Sequence, residues 1–370
     1  MTDDLFTSLT LSETTLPNRV MVSPMCQYSC DDRDGLATDW HFQHLASRAV
    51  GGAGVVMTEA TAVEPRGRIS PEDLGIWSEE HTDALEGSTE FVREQGSVPA
   101  IQLAHAGRKA ATARPWEGGD PLQPDDGGWE TVAPTDEPYP YEEDAPPTRA
   151  MTEADLDDVR ESFADAARRA LDAGFEIAEV HAAHGYLLHE FLSPVTNTRE
   201  DDYGGDFESR IRFPLEVVEA VREVWPAENP LFVRISATDW LPDRESWTVD
   251  QSIRFAERVS EAGVDLLDVS CGGIHPDQQV PSGGPGYQIR YGRRVREGCD
   301  AAPEELQIGA VGGITTPEQA DSLVRNSRAD LAIVGREHLR DPYFTLHAAQ
   351  KLGREDEVDV PPQYYRANIY

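Results

Sequence analysis

Residues 307–336 read QIGAVGGITTPEQADSLVRNSRADLAIVGR, and this stretch decides the fold. It contains two short apolar runs, QIGA and LAIV, separated by a longer amphipathic run over 317–326. Thr316 provides a hydroxyl cap directly before Pro317, a residue favoured in the first turn of a helix. The stretch therefore predicts a strand, a helix and a second strand, which form the unit of a parallel sheet with right-handed crossovers.

The same alternation of short apolar and longer amphipathic runs occurs about eight times along the chain. The predicted strands cover 19–25, 54–58, 98–103, 176–181, 231–236, 266–270, 307–310 and 331–334. The predicted helices cover 40–50, 82–95, 152–173, 210–225, 248–262, 289–297, 317–326 and 342–352. This order favours an α/β fold, a closed (β/α)8 TIM barrel with a short N-terminal hairpin. An open doubly wound sheet is the alternative, but no GxGxxG dinucleotide fingerprint follows any predicted strand.

Local signals support the boundaries of these units. Thr152 and Asp155 have the spacing of a capping box at a helix start. Gly174 and Gly263 stand where a helix has to end before the next strand begins. We expect residues 1–370 to form one domain, since single barrels reach this length.

The charge balance excludes some classes of partner. The chain has 32 basic and 68 acidic residues, a formal net charge of −36, and its only lysines are Lys109 and Lys351. Such a surface repels nucleic-acid phosphates and anionic membrane surfaces, and it is suited to concentrated salt, where its self-repulsion is screened. We therefore expect neither nucleic-acid nor membrane partners, and a protein from a halophilic source.

Cysteine usage and the first residues indicate a reducing compartment. The four cysteines, Cys26, Cys30, Cys271 and Cys299, are too scattered for a disulfide framework. Residues 1–10 lack the basic and apolar regions of a signal peptide, and no apolar run is long enough to span a membrane. The sequence thus predicts a cytoplasmic protein with free thiols.

One segment interrupts the repeat after the third strand. Residues 118–147 are rich in Pro, Gly, Asp and Glu and lack an apolar period. We expect an acidic surface excursion, which can cover or reshape the entrance to a site at the carboxyl ends of the strands, the catalytic face of barrels.

Glycines follow the last two predicted strands, where barrels commonly bind a phosphate. They are Gly312 and Gly313 after strand seven and Gly335 after strand eight, the last followed by Arg336. Backbone N–H groups and a bidentate guanidinium suit a phosphate there. No pair of Asp or Glu residues dominates the strand ends, which argues against a glycosidase.

Two imidazoles follow the fourth predicted strand. His181 and His184 stand just before Tyr186, a set that suits a clamp on a carbonyl or phenolate oxygen with Tyr186 as proton donor. A metal site that recruits Glu179 or Glu190 as a further ligand is the alternative, which would make the protein a metal-dependent lyase or hydrolase.

With these residues, the sequence resembles the Old Yellow Enzyme family of flavin-dependent ene-reductases, specifically the subclass with Cys in its first-strand motif. The resemblance covers nearly the whole chain. Its motifs are 16–20 (LPNRV), 23–28 (SPMCQY), 102–108 (QLAHAGR), 181–187 (HAAHGYL), 197–205 (NTREDDYGG), 335–337 (GRE) and 340–342 (RDP).

The resemblance implies that the cofactor is FMN and assigns its binding residues. These are Ser23, Pro24, Met25 and Cys26 along the ring system, Ala60 and Gln102 at its pyrimidine side, Arg234 facing the ring nitrogen and carbonyl, and Gly313, Gly335 and Arg336 at the phosphate. Cys26 is further expected to tune the flavin. A guanidinium at Arg234 would stabilise the negative charge of the reduced ring without reorganisation.

The resemblance also implies a ping-pong reaction. NADPH or NADH reduces the flavin and leaves, and an α,β-unsaturated carbonyl compound then takes the hydride at its β-carbon. His181 and His184 would polarise the carbonyl oxygen with help from Tyr28, and Tyr186 would protonate the α-carbon. Lys109 is a further candidate for the substrate rim. A non-catalytic flavin-binding sensor is the remaining alternative.

The C-terminal tail, 355–370, resembles the segment with which this subclass inserts an arginine into the neighbouring subunit's site. Arg366 is the residue that matches. The resemblance therefore implies a homo-oligomer, a dimer or a tetramer, in which Arg366 contacts the substrate. The tail ends in ANIY where the subclass usually has a shorter Gly-Trp ending.

Overall fold

The computed structural model describes residues 3–281, 284–301 and 305–367, without the side chain of residue 365. Within them, the strands are β1 (Leu9–Leu11), β2 (Thr14–Leu16), β3 (Val20–Val22), β4 (Val55–Ala62), β5 (Val98–Ala104), β6 (Thr131–Ala133), β7 (Thr148–Ala150), β8 (Ile177–Ala182), β9 (Leu231–Ser236), β10 (Leu266–Ser270), β11 (Gln307–Val311) and β12 (Leu331–Val334). The α-helices are α1 (Asp39–Val50), α2 (Glu79–Glu94), α3 (Glu153–Asp172), α4 (Leu187–Leu192), α5 (Phe207–Val224), α6 (Val249–Glu261), α7 (Ile289–Gly298), α8 (Pro317–Arg325), α9 (Arg336–Arg340) and α10 (Phe344–Leu352). Within the same residues, no helix is long and apolar enough to cross a membrane.

Eight of the strands form a closed parallel barrel in the order β3-β4-β5-β8-β9-β10-β11-β12. The (β/α)8 prediction is confirmed, and the open doubly wound sheet was wrong. Strands β1 and β2 form the predicted antiparallel N-terminal hairpin. Strand β6, within the excursion, pairs in parallel with β7, which follows the excursion directly.

The predicted helix signals act as expected. Thr152 Oγ1 accepts from the Asp155 backbone N–H, and the Asp155 carboxylate accepts from the Thr152 backbone N–H, which completes the capping box of α3. The Thr316 side chain caps α8 by accepting a hydrogen bond from the backbone N–H of residue 319. Gly174 and Gly263 have φ of +88° and +83°, which lets the chain leave α3 and α6 and enter the next strand.

Helix α4 is the main element that the sequence analysis missed. All six of its residues, Leu187–Leu192, are fully buried. Without a polar face, a helix shows no amphipathic period, so the pattern that revealed the other helices was absent here. Its place directly after β8 makes it part of the site's support.

The barrel interior is filled near the amino ends of its strands. Met21, Met57 and Phe232 from β3, β4 and β9 belong to one apolar cluster, which also contains Leu11 and Leu16 of the hairpin. The hairpin therefore covers that end of the barrel. A cavity lies at the opposite end, where the strands have their carboxyl ends.

Candidate functional site

A cavity of about 680 Å³ lies at the carboxyl ends of the barrel strands. Its lining brings together Met25, Arg234, Gly313, Gly335 and Arg336, all of which the sequence predicted to contact one cofactor. This size is within the ordinary range of small-molecule sites. Residues distant in sequence meet here because parallel strands all end at the same face.

Arg234 is the fixed positive charge of this cavity. Neighbouring strands place His181, Arg234 and Asp268 side by side. The Arg234 Nε atom lies 3.2 Å from Asp268 Oδ2, and its Nη1 atom lies 3.5 Å from Ser23 Oγ. Asp268 is fully buried, and burial raises the pKa of its carboxyl group while Arg234 lowers it. The ion pair fixes the direction in which the guanidinium points.

Gln102 lies beside this pair on β5. Its Nε2 atom donates to Glu179 Oε1 over 2.7 Å, so its amide oxygen remains to accept from a ligand N–H. Burial and the neighbouring Asp268 raise the pKa of Glu179. Ala60 is the register partner of Gln102, because β4 shifts register between Met57 and Ala60.

The opposite part of the cavity has the donors that a phosphate needs. Gly313 has a φ of +69°, and Gly335 follows β12 directly. The Arg336 guanidinium is exposed and makes no hydrogen bond or ion pair with any described residue. An unpaired guanidinium next to two glycine backbones fits the phosphate end of a flavin nucleotide. At the other end, Gln102 and Arg234 fit its polar ring edge.

His181 and His184 lie together, with ring centroids 5.2 Å apart. Burial and the nearby Arg234 lower the pKa of both imidazoles, so both are neutral. His181 Nδ1 accepts from the Ala183 backbone N–H over 3.2 Å, which places the ring proton on Nε2. The arrangement offers a neutral N–H donor to a ligand oxygen.

The backbone of His184 is held in a left-handed conformation, with φ +60°. Its N–H donates to Ser236 Oγ over 2.9 Å, and its carbonyl accepts from Lys109 Nζ over 2.7 Å. Its Nε2 atom lies 2.8 Å from Ser270 Oγ. A Cβ on Gly273 would lie 2.4 Å from the His184 carbonyl, so this approach requires glycine.

Two phenols complete the reacting side of the site. The Tyr186 ring lies 5.1 Å from the His181 ring, and burial raises the pKa of Tyr186 so that it remains a phenol. Tyr28 has a φ of +50°, and its pKa is raised by burial and by the nearby Cys26 and Tyr186. Both phenols therefore retain the proton that a donor needs.

Cys26 is present as a thiol. Burial raises its pKa well above the ordinary value, and the carboxylates of Asp73 and Glu59 raise it further. Glu59 also fixes the Cys26 loop, because its Oε2 atom accepts from the Gln27 backbone N–H over 2.9 Å. Cys30 is buried in the core and donates to the carbonyl of residue 36.

One supporting pair was missed from the sequence. His189, in α4, accepts from the Gly185 backbone N–H at Nδ1 over 2.9 Å, and its Nε2 atom lies 2.9 Å from Asp239 Oδ1. Gly185 lies between His184 and Tyr186 in the chain. Its hydrogen bond to His189 therefore helps to position both of these residues. The only signal in the sequence was an unassigned histidine two residues after the 181–187 motif.

The carboxylates that a metal site would recruit have other partners. Glu179 accepts from Gln102, and Glu190 Oε1 accepts from the Arg108 backbone N–H over 2.9 Å. Among the described residues, no group of three or more His, Cys, Asp or Glu side chains could hold a metal ion.

Arg366 is exposed in a 3-10 turn, Pro362–Ala367, and does not line the cavity of its own chain. Residues 368–370 of the predicted tail lie outside the described residues.

Comparison with known proteins shows which family the chain belongs to. The model of the NADH:flavin oxidoreductase / NADH oxidase family matches residues 4–355. The NADPH dehydrogenase of Geobacillus sp. (strain WCH70) is 45% identical over 362 residues, which cover 98% of each chain.

Two solved structures are also similar. Morphinone reductase in complex with tetrahydroNAD has a TM-score of 0.75 and 26% identity, covering 98% of this chain and 94% of that one. The Old Yellow Enzyme homologue from Zymomonas mobilis has a TM-score of 0.76 and 25% identity, covering 98% of both chains.

Proposed function

Because the chain belongs to the NADH:flavin oxidoreductase / NADH oxidase family, the family of Old Yellow Enzyme, we propose that it is an FMN-dependent NADPH dehydrogenase. We propose that its oxidising substrates are α,β-unsaturated carbonyl compounds, whose C=C bond it reduces. The observation that carries the proposal is the set of two neutral imidazoles and one phenol, His181, His184 and Tyr186, beside the cavity that contains Arg234.

The residues that would hold FMN present a hydrogen-bond donor, a hydrogen-bond acceptor or a positive charge to it. Gln102 offers an amide oxygen, Arg234 a fixed charge, and Arg336 an unpaired guanidinium beside Gly313 and Gly335. Ser23, Pro24, Met25, Cys26 and Ala60 complete the set. When bound, FMN supplies the hydride chemistry, which oxidises NADPH and reduces the β-carbon of the enone.

The protein's own groups supply the proton and hold the substrate. The N–H of His181 donates to the carbonyl oxygen, where negative charge develops, and His184 and Tyr28 assist. Tyr186 gives its proton to the α-carbon, so the C=C bond gains one hydride and one proton. Because both imidazoles are neutral, they stabilise this charge without transferring a proton themselves.

Four further features belong to the proposal. The reaction is ping-pong, since nicotinamide and enone would use the same cavity in turn, and the chain is a member of the Cys-motif subclass, which Cys26 supports. The chain works as one domain in a homo-oligomer, in which Arg366, exposed on its own chain, enters a neighbouring site. The charge of −36 supports a halophilic source, and the four free cysteines support a cytoplasmic location.

An anaerobic visible-absorption titration of the purified holoenzyme in concentrated salt tests the proposal. We expect a flavin spectrum that NADPH bleaches and that 2-cyclohexenone then restores. A protein that remains colourless after loading with FMN would contradict the cofactor assignment. Bleaching without recovery would contradict the enone assignment. In Tyr186→Phe, we expect retained phenol binding with slower reoxidation, whereas a sensor would show no reoxidation in either protein.

A further inference from the structure

The excursion and the chain just before it reach the site from one side through Trp116. The Trp116 ring meets the Tyr28 ring edge to face, with centroids 5.7 Å apart. Its side chain is 64% exposed although it is a large apolar group. An exposed indole beside a substrate-facing phenol is a surface that an apolar ligand would cover.

The excursion also approaches the site through Tyr139. Lys109 lies between two aromatic rings, with Nζ 5.2 Å from the centre of Tyr139 and 5.0 Å from the centre of Tyr186. Tyr141 packs on Tyr139 with centroids 4.7 Å apart. A chain of contacts through Tyr139 and the Lys109 ammonium therefore leads from the excursion to Tyr186, the proposed proton donor.

Several contacts hold the excursion at this place. Arg108 Nη1 donates to the carbonyls of Glu137 and Pro138, each over 3.3 Å, and its guanidinium lies 5.6 Å from the Tyr139 ring centre. Arg199 Nη1 donates to the carbonyl of Pro134 over 2.9 Å. These ties keep Tyr139 ordered beside Lys109, so the rings are arranged before a ligand arrives.

We infer that Trp116, Tyr139 and Tyr141 form an aromatic subsite at the substrate entrance, which binds a planar, uncharged ring attached to the enone. The inference rests on the proposed function and narrows its substrate class. The rings give stacking and edge contacts to a flat group. Exposed carboxylates border the subsite at 136, 137 and 142–144, and they disfavour an anionic substituent. Lys109 does not attract an anion strongly, because its ammonium donates to the carbonyls of His184 and Gly273.

The test compares two uncharged enones on the FMN-loaded protein, 2-cyclohexenone and 4-phenyl-3-buten-2-one. In Trp116→Leu and Tyr139→Leu, we expect the ratio of kcat/KM for the phenyl enone to that for cyclohexenone to fall about threefold to tenfold. Trp129→Phe is the matched control. Trp129 belongs to the same excursion, but its ring lies 5.2 Å from the Arg68 guanidinium and its Nε1 donates to the Arg66 carbonyl, so we expect an unchanged ratio.

Equilibrium binding separates this inference from the proposed function. Calorimetric titration of the oxidised holoenzyme with 4-phenyl-3-buten-2-one measures the subsite even if no turnover occurs. We expect about threefold to tenfold weaker binding in Trp116→Leu and Tyr139→Leu, with unchanged flavin content and circular dichroism. Unchanged affinity and an unchanged ratio in both variants would overturn the subsite. Equal losses for both enones would also overturn it, because the residues would then support the site as a whole.

Discussion

His189 Nε2 lies 2.9 Å from Asp239 Oδ1, and both side chains are completely buried. Because His189 Nδ1 accepts from the Gly185 N–H, its ring proton is on Nε2, the atom that lies beside the carboxylate. Asp239 Oδ2 accepts from Ser193 Oγ and from the Trp247 backbone N–H, each over 2.7 Å. The turn between the proposed substrate ligands is thus anchored through a single carboxylate.

We predict that Asp239→Asn weakens this anchor. The new amide NH2 group would face either His189 Nε2 or the two donors on Oδ2, Ser193 and Trp247, which costs about 1–3 kcal/mol of folding free energy. We also expect weaker binding of 4-hydroxybenzaldehyde, because His184 and Tyr186 lose their fixed positions. Denaturant unfolding and a visible titration of the holoenzyme measure the two effects. Asp243→Asn, an exposed change whose only described partner is Gln279, is the control and should leave both unchanged.

Two glycines should respond to alanine in opposite directions. In Gly273→Ala, the new Cβ would lie 2.4 Å from the His184 carbonyl at a φ of +98°, so we expect a loss of more than about 2 kcal/mol and weaker phenol binding. In Gly87→Ala, within α2, the Cβ meets nothing within 4 Å, and we expect a gain of about 1 kcal/mol. Denaturant unfolding of both variants measures the difference. A tolerated Gly273→Ala would contradict the close approach.

Glu190 should make the protein less stable as pH rises. Burial raises its pKa to about 8, although Arg108 lowers it. Between about pH 4.5 and pH 8 the unfolded chain has lost this proton and the folded chain retains it, so the free energy of unfolding falls. We expect Glu190→Gln to reduce this fall in denaturant titrations across that range. Glu161→Gln, an exposed change, should not alter the slope.

The thiols should be unreactive in the folded protein. Burial raises the pKa of all four cysteines, and Asp73 and Glu59 add to the effect at Cys26. Because the thiolate is the nucleophile, iodoacetamide at about pH 8 should modify the folded protein slowly. Mass spectrometry should find all four labelled after unfolding in guanidinium chloride. Rapid labelling of Cys26 in the folded state would contradict the raised pKa.

Salt should stabilise the protein. A formal net charge of −36 produces repulsion that dissolved ions screen. We expect the free energy of unfolding to rise between about 0.2 M and 2 M KCl. Urea titrations at each salt concentration measure it, since urea itself adds no ionic strength. A constant or falling value would count against adaptation to salt.

The sequence by itself determined the barrel and predicted most of the residues of the candidate site. Period, caps and glycines are local signals, so eight strand–helix units could be recognised one at a time, and parallel strands bring their ends to one face. That rule is sufficient to place Met25, Arg234, Gly313 and Arg336 in one cavity.

Only the tertiary structure decided how these residues are held and what surrounds them. The His189–Asp239 pair joins residues 50 positions apart, and α4 lacks the period that would have revealed it. The excursion has no period at all, so nothing local indicates that Tyr139 lies on Lys109 or that Trp116 meets Tyr28. Such contacts depend on long-range packing and on hydrogen bonds between loops, which leave no regular spacing in the sequence.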